Sequence, residues 1–560
     1  MQSEETPRRN GATRREVMAA AGASALALSM GAGLSQRPTV AAGTVFEDRS
    51  GTGRRGPGDR GIVGVMVSNG RDVVRTDAEG RWRLPVSDGD SVFVIKPPHW
   101  STPTGAGAAP QFSYLHQPDG SPRDVRYFHA GVAATGALPR SIDLPLRRQD
   151  ESRTFQALLL ADTQPGHDTE LGYLRDDIVA SVPGSGAAFV INHGDVVFDD
   201  LALYARYQQI IGATGIAWHH SPGNHDINWE GRDDRTSRET WKRVFGPRHY
   251  AFQHGEATFI VLDNVHYAGF DPVAGRAGRY TGRIGPEQLQ FVRNVLAHVP
   301  REQLVVLSMH IPLRTYQDAD NPADNTDDAA ALLEILAGRP HTVSFAGHMH
   351  LTEHHYLGRQ AHHHHVLAAA SGGWWGGPPD RHGVPSADAP DGGPNGFHVL
   401  EVDGAHYATR FVPAAGKPQS RLRVVVDGPS RRRVRNASCD WGPLVCADEV
   451  AACEIVANVF DGGPRTSVTC EIAGQTPPMS MARVDVVDPF VADLYARTRE
   501  QQQAWVKAVP SAHIWRAPLF AGLKPGAHRL VVRASDEYGR EISAHVMIEV
   551  AAQAKAAAPA

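Results

Sequence analysis

Five polar clusters, each lying where a short apolar run ends, constrain this chain more than any other feature of its sequence. They are Asp162-Thr163-Gln164, Gly194-Asp195, Gly223-Asn224-His225-Asp226, His310 and Gly347-His348-Met349-His350. Open α/β sheets place their chemistry just beyond the strand ends. Asp, Asn and His side chains that meet at such an edge predict a site for two metal ions.

The stretch from Phe155 to about Phe411 alternates short apolar runs with helix-length amphipathic segments, which is α/β periodicity. Predicted helices include Leu201 to Ile211 and Pro286 to His298, the second with Pro near its first turn. The predicted strands are Ala157 to Leu160, Ala187 to Ile191, Ile216 to His219, Thr258 to Leu262, Leu304 to Leu307 and Thr342 to Phe345.

The two flanking stretches have a different pattern, with short strands between turn residues. Before the α/β region, Asn69-Gly70 and the acidic turn that ends at Gly80 are hairpin signals. Beyond about Val412, two alternating runs lie beside the Pro525-Gly526 and Tyr538-Gly539 turns. The sequence therefore predicts a β-sandwich on each side of the α/β region, the second one immunoglobulin-like.

The N-terminus has the features of an export signal. Arg14 and Arg15 precede an Ala- and Gly-rich apolar stretch, and Val40-Ala41-Ala42 is a small-residue cleavage site. The apolar stretch is shorter than the roughly 20 residues that span a bilayer, so a stable membrane anchor is not expected. We predict twin-arginine export to a periplasmic or extracellular location.

All four cysteines lie within one late segment, at Cys439, Cys446, Cys453 and Cys470. An exported chain meets an oxidising compartment, and no Cys-x-x-Cys pair favours a zinc site, so two disulfides are predicted with their connectivity open.

Overall composition narrows the classes of function. The chain has 560 residues, which predicts several domains, and a formal net charge of -5, which gives no basic signature for nucleic acid binding. The sequence has no nucleophile elbow, phosphate-cradling P-loop or His-Glu-x-x-His motif. Serine hydrolysis, P-loop chemistry and zinc proteolysis therefore lack support.

The five clusters, in this order, resemble the motifs of calcineurin-like metallophosphoesterases, in particular a bacterial secreted branch with accessory β domains at both ends. The resemblance implies a multidomain α+β protein. Its centre would be a four-layer αββα sandwich, with an N-terminal transthyretin-like sandwich and a C-terminal immunoglobulin-like sandwich. The predicted segments are a signal peptide (1–42), the N-terminal sandwich (43–150), the catalytic domain (151–411), the C-terminal β domain (412–550) and a disordered tail (551–560).

The resemblance also assigns metal ligands. Asp195 would bridge two divalent ions, Asp162 and His350 would complete the first site, and Asn224, His310 and His348 would complete the second. Gln164 stands where the family's usual pattern has His. Because an amide oxygen is a harder and weaker ligand than imidazole, the first site would bind less tightly and favour Mn, Mg or Fe(II), with Zn also open. His167 is an alternative ligand there.

The same resemblance makes His225 the catalytic residue. It would protonate the leaving oxygen, or hold a phosphoryl oxygen, while a metal-bridging hydroxide attacks phosphorus. Asp199 would orient its second ring nitrogen, with Asp200 as the fallback.

Several other residues admit two interpretations. Trp374 and Trp375, on a glycine-flanked loop after the His-Met-His motif, either stack on substrate or pack under a domain interface. His354, His355 and the run His362 to His365 are predicted to alternate across a strand rather than to bind metal. The basic run Arg431 to Arg435 is predicted to be a solvated loop.

Three functions follow from these patterns. The leading one is a secreted metal-dependent phosphoesterase that acts on small phosphomonoesters or phosphodiesters. The second is a nucleotide or nucleotide-sugar pyrophosphatase, which the Trp loop motivates. The third is a surface protein that binds a glycan or partner and has a degenerate site.

Overall fold

The computed structural model describes residues 39–414, 421–429 and 444–552. The helices are α1 (Asp168–Asp177), α2 (Tyr204–Gly212), α3 (Glu239–Phe245), α4 (Gly285–Leu296), α5 (Ala329–Leu336) and α6 (Pro489–Arg497). The predicted twin-arginine motif, the basic run at Arg431 to Arg435, Cys439 and most of the predicted tail lie outside these residues.

Two four-stranded sheets form the N-terminal part, with strand orders β4-β1-β8-β6 and β3-β2-β5-β7. Their strands are β1 (Thr39–Glu47), β2 (Met66–Ser68), β3 (Val73–Arg75), β4 (Arg81–Val86), β5 (Asp90–Ile95), β6 (Trp100–Ser101), β7 (Ser113–His116) and β8 (Leu144–Arg148). The Asn69-Gly70 hairpin joins β2 to β3, as predicted. The second predicted hairpin is wrong, because β4 pairs with β1 in the other sheet.

Two larger sheets form the central part, with strand orders β11-β10-β9-β22-β23 and β12-β13-β18-β19-β21-β20. Their strands are β9 (Thr154–Leu160), β10 (Phe189–Asn192), β11 (Ala217–His220), β12 (Tyr250–His254), β13 (Ala257–Val261), β18 (Leu304–Ser308), β19 (Thr342–Ala346), β20 (Glu353–Leu357), β21 (His362–Val366), β22 (Gly396–Asp403) and β23 (His406–Pro413). All six predicted strands are present here. Between β13 and β18 in sequence, four short strands form two antiparallel ribbons. One pairs β14 (Val265–Tyr267) with β17 (Tyr280–Gly282), and the other pairs β15 (Phe270–Asp271) with β16 (Arg276–Ala277).

Strand periodicity builds the central layers. In β9, Leu159 faces the second sheet and shares a core with Phe259 and Val306, whereas Leu158 faces the opposite way. Because successive side chains of a strand point to opposite faces, one continuous apolar run covers both sides of the sheet. Leu158 packs in the cluster that contains α1 and α2, and α4 and α5 pack in the cluster of the second sheet.

The C-terminal part contains two further sheets, with strand orders β24-β26-β30-β29 and β25-β32-β31-β27-β28. Their strands are β24 (Leu422–Asp427), β25 (Leu444–Cys446), β26 (Glu454–Val459), β27 (Ser467–Ile472), β28 (Met479–Ser480), β29 (Ala482–Val487), β30 (Pro510–Pro518), β31 (Gly526–Ser535) and β32 (Glu541–Ala551). The Tyr538-Gly539 turn joins β31 to β32, as its sequence indicates. The chain is thus a multidomain α+β protein with many sheets and little helix.

The cysteines depart from the sequence-based expectation. Among the described cysteines, the buried Cys453 and Cys470 carry unbonded thiols. The prediction of two disulfides, which needs all four cysteines, is therefore wrong. None of the helices in the described residues has the length and apolar composition needed to cross a bilayer.

Candidate metal centre

The predicted ligands meet at one edge of the two central sheets. Asp162 follows β9, Asp195 follows β10 and Asn224 follows β11, while His310 and His348 follow β18 and β19 of the other sheet. Backbone hydrogen bonds join the first two loops, because the Asp162 amide donates to Gly194 O at 3.2 Å. The ligand atoms of Asp195, His310 and His348 all lie within 4.8 Å of one another.

Three lone-pair atoms converge at His310. Its Nδ1 lies 2.8 Å from the carbonyl oxygen of His193, which fixes Nδ1 as the donor. Its Nε2 then faces Asn224 Oδ1 at 2.9 Å and Asp195 Oδ2 at 3.3 Å. Acceptors this close need a positive charge between them, either a proton on Nε2 or a bound cation.

The other half of the site contains Asp162, Gln164 and His350. His350 donates Nδ1–H to Gly372 O at 2.7 Å, so its Nε2 faces Asp162 Oδ1 at 3.7 Å. The Gln164 amide donates to Asp195 Oδ2 at 3.0 Å, and Gln164 Oε1 is buried without a hydrogen-bond partner among the described residues. A buried oxygen of this kind is a free metal ligand, so the residues fit a pair of divalent ions.

Glycines in the motifs leave room beside the carboxylates. A Cβ atom at Gly223 would overlap Asp195, and one at Gly347 would overlap Asp162. The space before Asn224 and His348 is therefore open only because those two positions lack side chains. This is the physical reason for Gly at the start of these two clusters.

Backbone strain is concentrated at the same place. Twelve non-glycine residues in the described ranges have positive φ, and eight of them are predicted site residues. These eight are Asp162, Gln164, Asp195, Asp199, His348, His350, Trp374 and Trp375, with φ from 40° to 75°. Such conformations cost about 1–3 kcal/mol each and cluster at functional sites, where the surrounding structure enforces them.

The buried carboxylates and imidazoles of the site have strongly shifted pKa values. Burial raises the pKa of Asp162 to about 7; the neighbouring Asp195 adds to this rise, while His310 opposes it. The pKa of His310 rises to about 9, because the two carboxylates outweigh its burial. A cation among these groups would favour the charged carboxylates and the neutral imidazole, which are the ligand forms.

His225 and Asp199 lie together beside the ligands. His225 Nδ1 is 2.8 Å from Asp199 Oδ1, and its Nε2 lies 4.0 Å from Asp195 Oδ2. The pKa of His225 is raised, because the charges of Asp195 and Asp199 outweigh its burial. The indole of Trp229 also donates to Asp199 Oδ1, at 2.9 Å, which fixes the carboxylate.

Two of the alternative assignments are wrong. His167 lies at the surface, with 63% of its side chain exposed. It caps α1 by accepting a hydrogen bond from the Glu170 backbone amide. Asp200 caps the turn after it by accepting from the Ala202 amide at 3.0 Å. Neither residue belongs to the cluster.

The sequence left two interpretations of the Trp loop open, stacking on substrate or packing under a domain interface, and the two Trp residues differ in this respect. Trp374 stacks on His350, with ring centroids 4.1 Å apart. Trp375 is buried in the core of the first sheet near Tyr173, so its prediction as a substrate-binding residue is wrong. Both residues have a left-handed backbone conformation, with φ of 55° and 49°.

Sequence reasoning missed three contributors to the site. Asp226, inside the third motif, accepts from the backbone amides of Val196 and Gly223 and so ties two ligand loops together. Phe198 stacks on His225 at 4.4 Å, and Trp505 of the C-terminal part stacks on Phe198 at 5.7 Å. Asp226 could have been found from its position inside the third motif, whereas no sequence motif marks Trp505.

Comparison with known proteins identifies the relatives of this chain. Residues 49–130 match the family model for the N terminal of calcineurin-like phosphoesterase, and residues 364–542 match that for the C terminal. The chain therefore contains the N-terminal and C-terminal domains of calcineurin-like phosphoesterases. It is a phosphoric ester hydrolase of a family that uses two divalent metal ions. The two matches leave out 131–363, the stretch that contains all seven predicted ligands.

Solved structures resemble this phosphoesterase only distantly. Purple acid phosphatase PPD1 from yellow lupin (Lupinus luteus) seeds is 13% identical, with a TM-score of 0.34, and the match covers 67% of either chain. GAP50, the anchor in the inner membrane complex of Plasmodium, is 14% identical, with a TM-score of 0.31, over 48% of this chain and 86% of the other. No curated protein matches the sequence.

Proposed function

We propose that this phosphoesterase hydrolyses small phosphomonoesters or phosphodiesters. The observation that carries the proposal is the placement of His225, whose Nδ1 is held by Asp199 and whose Nε2 faces the ligand cluster. A ring oriented in this way has one nitrogen fixed and the other free to transfer a proton. An intact ligand set beside it argues against a degenerate site that only binds a glycan or partner.

The residues divide the chemistry among them. Asp162, Gln164, Asp195, Asn224, His310, His348 and His350 would hold the two ions. When bound, divalent ions neutralise the phosphoryl charge and lower the pKa of water for attack. In the hydrolysis, the bond from phosphorus to the leaving oxygen breaks, and His225 Nε2 supplies the proton that this oxygen takes up. Asp199 then matters most, because bound cations would neutralise Asp195 and leave Asp199 as the group that stabilises the imidazolium.

The direct test is a phosphoesterase assay of the purified chain with Mn, Mg, Fe(II) and Zn supplied separately. A chromogenic monoester and a diester are the substrates, and a chelated sample is the blank. We expect metal-dependent turnover that the Asp195→Asn variant lacks. Activity that persists equally after chelation would contradict the proposal.

A nucleotide or nucleotide-sugar pyrophosphatase is the second candidate, because the rim of the site is aromatic. The side chain of Trp505 is 53% exposed and lies 5.9 Å from Trp374 in an edge-to-face contact. An exposed indole beside the ligands is a stacking surface for a base.

Replacing Trp505 by Ala should therefore raise KM for nucleotide substrates roughly tenfold, since base stacking is worth about 1–3 kcal/mol. KM for glycerol phosphate, which has no ring, should not change. Met547→Ala, at a similarly exposed position on β32, is the matched control. Equal effects on both substrates would rule out base recognition by this indole.

We also propose that the flanking domains are a transthyretin-like and an immunoglobulin-like sandwich. The two-sheet topology on each side of the central sheets supports this assignment.

Export by the twin-arginine route is a further proposal, based on Arg14 and Arg15. That route carries folded proteins, so the metal centre could be filled before export. Replacing both arginines by Lys should leave an active, metal-loaded protein in the cytoplasm, which fractionation and the phosphoesterase assay would detect. An inactive retained protein would contradict this order of events.

A further inference from the structure

A second cluster of metal-binding side chains lies outside the phosphoesterase site. His354, His365 and Asp461 offer ligand atoms that all lie within 4.8 Å of one another. Asp461 Oδ1 is 3.1 Å from His354 Nε2 and 2.9 Å from His365 Nε2. A third imidazole, His398, places its Nε2 3.1 Å from the same oxygen. The cluster shares no residue with the predicted ligands of the active site.

The four side chains come from two different sheets and a loop of the C-terminal part. His354 and His365 lie on the paired strands β20 and β21 of the second central sheet, and His398 lies on β22 of the first. Asp461 follows β26 in the C-terminal part, more than 60 residues further along the chain than His398. All three imidazoles are fully buried. Groups this far apart in sequence converge only through the tertiary fold.

The backbone at Asp461 is adapted to this approach. Asp461 has φ of 76°, a left-handed conformation that costs a non-glycine residue about 1–3 kcal/mol. Gly463, two residues later, passes so close to the strand that a Cβ atom there would lie 2.8 Å from His354 Cβ. The strained backbone of Asp461 and the missing side chain at Gly463 together allow the carboxylate to approach the histidines. The same combination marks the ligands of the phosphoesterase site.

Hydrogen bonding alone does not satisfy the cluster. One carboxylate oxygen faces three Nε2 atoms, and neither nitrogen of His365 has a hydrogen-bond partner in the described part of the chain. A buried imidazole without a hydrogen-bond partner destabilises the fold by the full desolvation cost of its polar atoms. Its Nε2 nevertheless points into the group formed by Asp461 and the other two rings. A cation at the centre would give Asp461 Oδ1 and all three Nε2 atoms, including that of His365, a shared partner.

We propose that His354, His365, His398 and Asp461 bind a third metal ion, a divalent transition metal for which zinc is the best match. Three imidazoles and one carboxylate are four ligands of the kind that zinc takes in a closed tetrahedral site. Imidazole-rich sites exclude Mg and Ca, which prefer oxygen ligands. Full burial leaves no open coordination position for substrate, so the ion is structural.

Neighbouring groups orient one of the ligands as metal sites require. His354 Nδ1 is 2.9 Å from His363 Nε2, and His363 Nδ1 is 2.8 Å from the Tyr407 hydroxyl. A hydrogen bond on the distal nitrogen fixes the ring and leaves Nε2 for the metal. The His-rich strand therefore supplies both a ligand and its support, since His363 and His365 project from one face of β21.

The proposed ion would fasten the C-terminal part to both central sheets. That part carries Trp505 at the rim of the active site. Loss of the ion should therefore lower thermal stability and loosen the rim without removing the active-site ions. This separates its effects from those of the phosphoesterase centre.

The test is metal analysis of the full chain in a background that lacks the active-site ions. The double variant Asp162→Asn with Asp195→Asn, loaded with zinc and dialysed, should retain one equivalent of metal by mass spectrometry. Loaded with Co(II) instead, it should show the intense visible absorption of four-coordinate cobalt. Adding Asp461→Asn should remove both signals.

The matched control is His362→Asn in the same background. His362 is a buried histidine of the same strand, but hydroxyls of Thr342 and Ser344 satisfy both of its nitrogens, so one equivalent should remain. A background variant with no retained metal would overturn the proposal, as would retained metal after Asp461→Asn. The metal content of the double variant is measured with the cluster unchanged. That measurement therefore tests the proposal even if the Asp461 variant fails to fold.

Discussion

The Asp195→Asn variant should lose both active-site ions and all detectable phosphoesterase turnover. Asp195 Oδ2 lies 3.3 Å from His310 Nε2 and accepts from Gln164 at 3.0 Å, so it faces both halves of the ligand set. A carboxylate bridges two cations through its oxygens, whereas the amide of Asn is neutral and offers only one oxygen. The loss should exceed the roughly 10²–10⁴-fold that a proton-transfer residue contributes, because metal-dependent attack disappears altogether.

The measurement pairs metal content with turnover in the same sample. Asp200→Asn is the matched control, because Asp200 lies five residues away and its side chain caps a turn outside the ligand cluster. That variant should keep its metals and its activity. If Asp195→Asn keeps wild-type metal content, Asp195 is not the bridging ligand. If it keeps wild-type turnover, the assigned centre is not the site of hydrolysis.

Much of this site could be predicted because its chemistry follows the strands. Asp162, Asp195 and Asn224 each come directly after an apolar run, and parallel strands bring such positions to one edge. The family resemblance also implied the pairing of His225 with Asp199, and the structure places His225 Nδ1 2.8 Å from Asp199 Oδ1. Local sequence carries this information, since each motif is formed by one loop.

What could not be predicted depends on contacts between distant segments. Trp505 reaches the site from the C-terminal part, and Asp461 reaches the histidine strands across 107 residues from His354. Trp374 and Trp375 are adjacent and chemically identical, so local sequence does not distinguish which one stacks on His350. The histidine run was correctly predicted as a strand, but its partner carboxylate has no signal in that part of the sequence.

His225→Ala should lower kcat by roughly 10²–10⁴-fold while both active-site ions stay bound. The ring lies 4.0 Å from Asp195 but is not among the converging ligand atoms, so its removal takes away proton transfer and leaves the metal ligands in place. Asp199→Asn should produce a smaller loss, because the ring keeps its stack on Phe198 and loses only the carboxylate that stabilises its charged form. Metal analysis beside the kinetics separates these effects from ligand loss, and a missing ion would make His225 a ligand.

Substrates with different leaving groups distinguish the two possible roles of His225, proton donation and the binding of a phosphoryl oxygen. Proton donation matters most for an alkoxide, which is a poor leaving group, and least for a nitrophenolate, which leaves without a proton. The His225→Ala variant should therefore lose far more kcat on glycerol phosphate than on nitrophenyl phosphate. Equal losses on the two esters would mean that the imidazole holds a phosphoryl oxygen, since that interaction is the same for every leaving group. Only the unequal result agrees with the geometry, in which Asp199 fixes Nδ1 and the free Nε2 faces the ligand cluster.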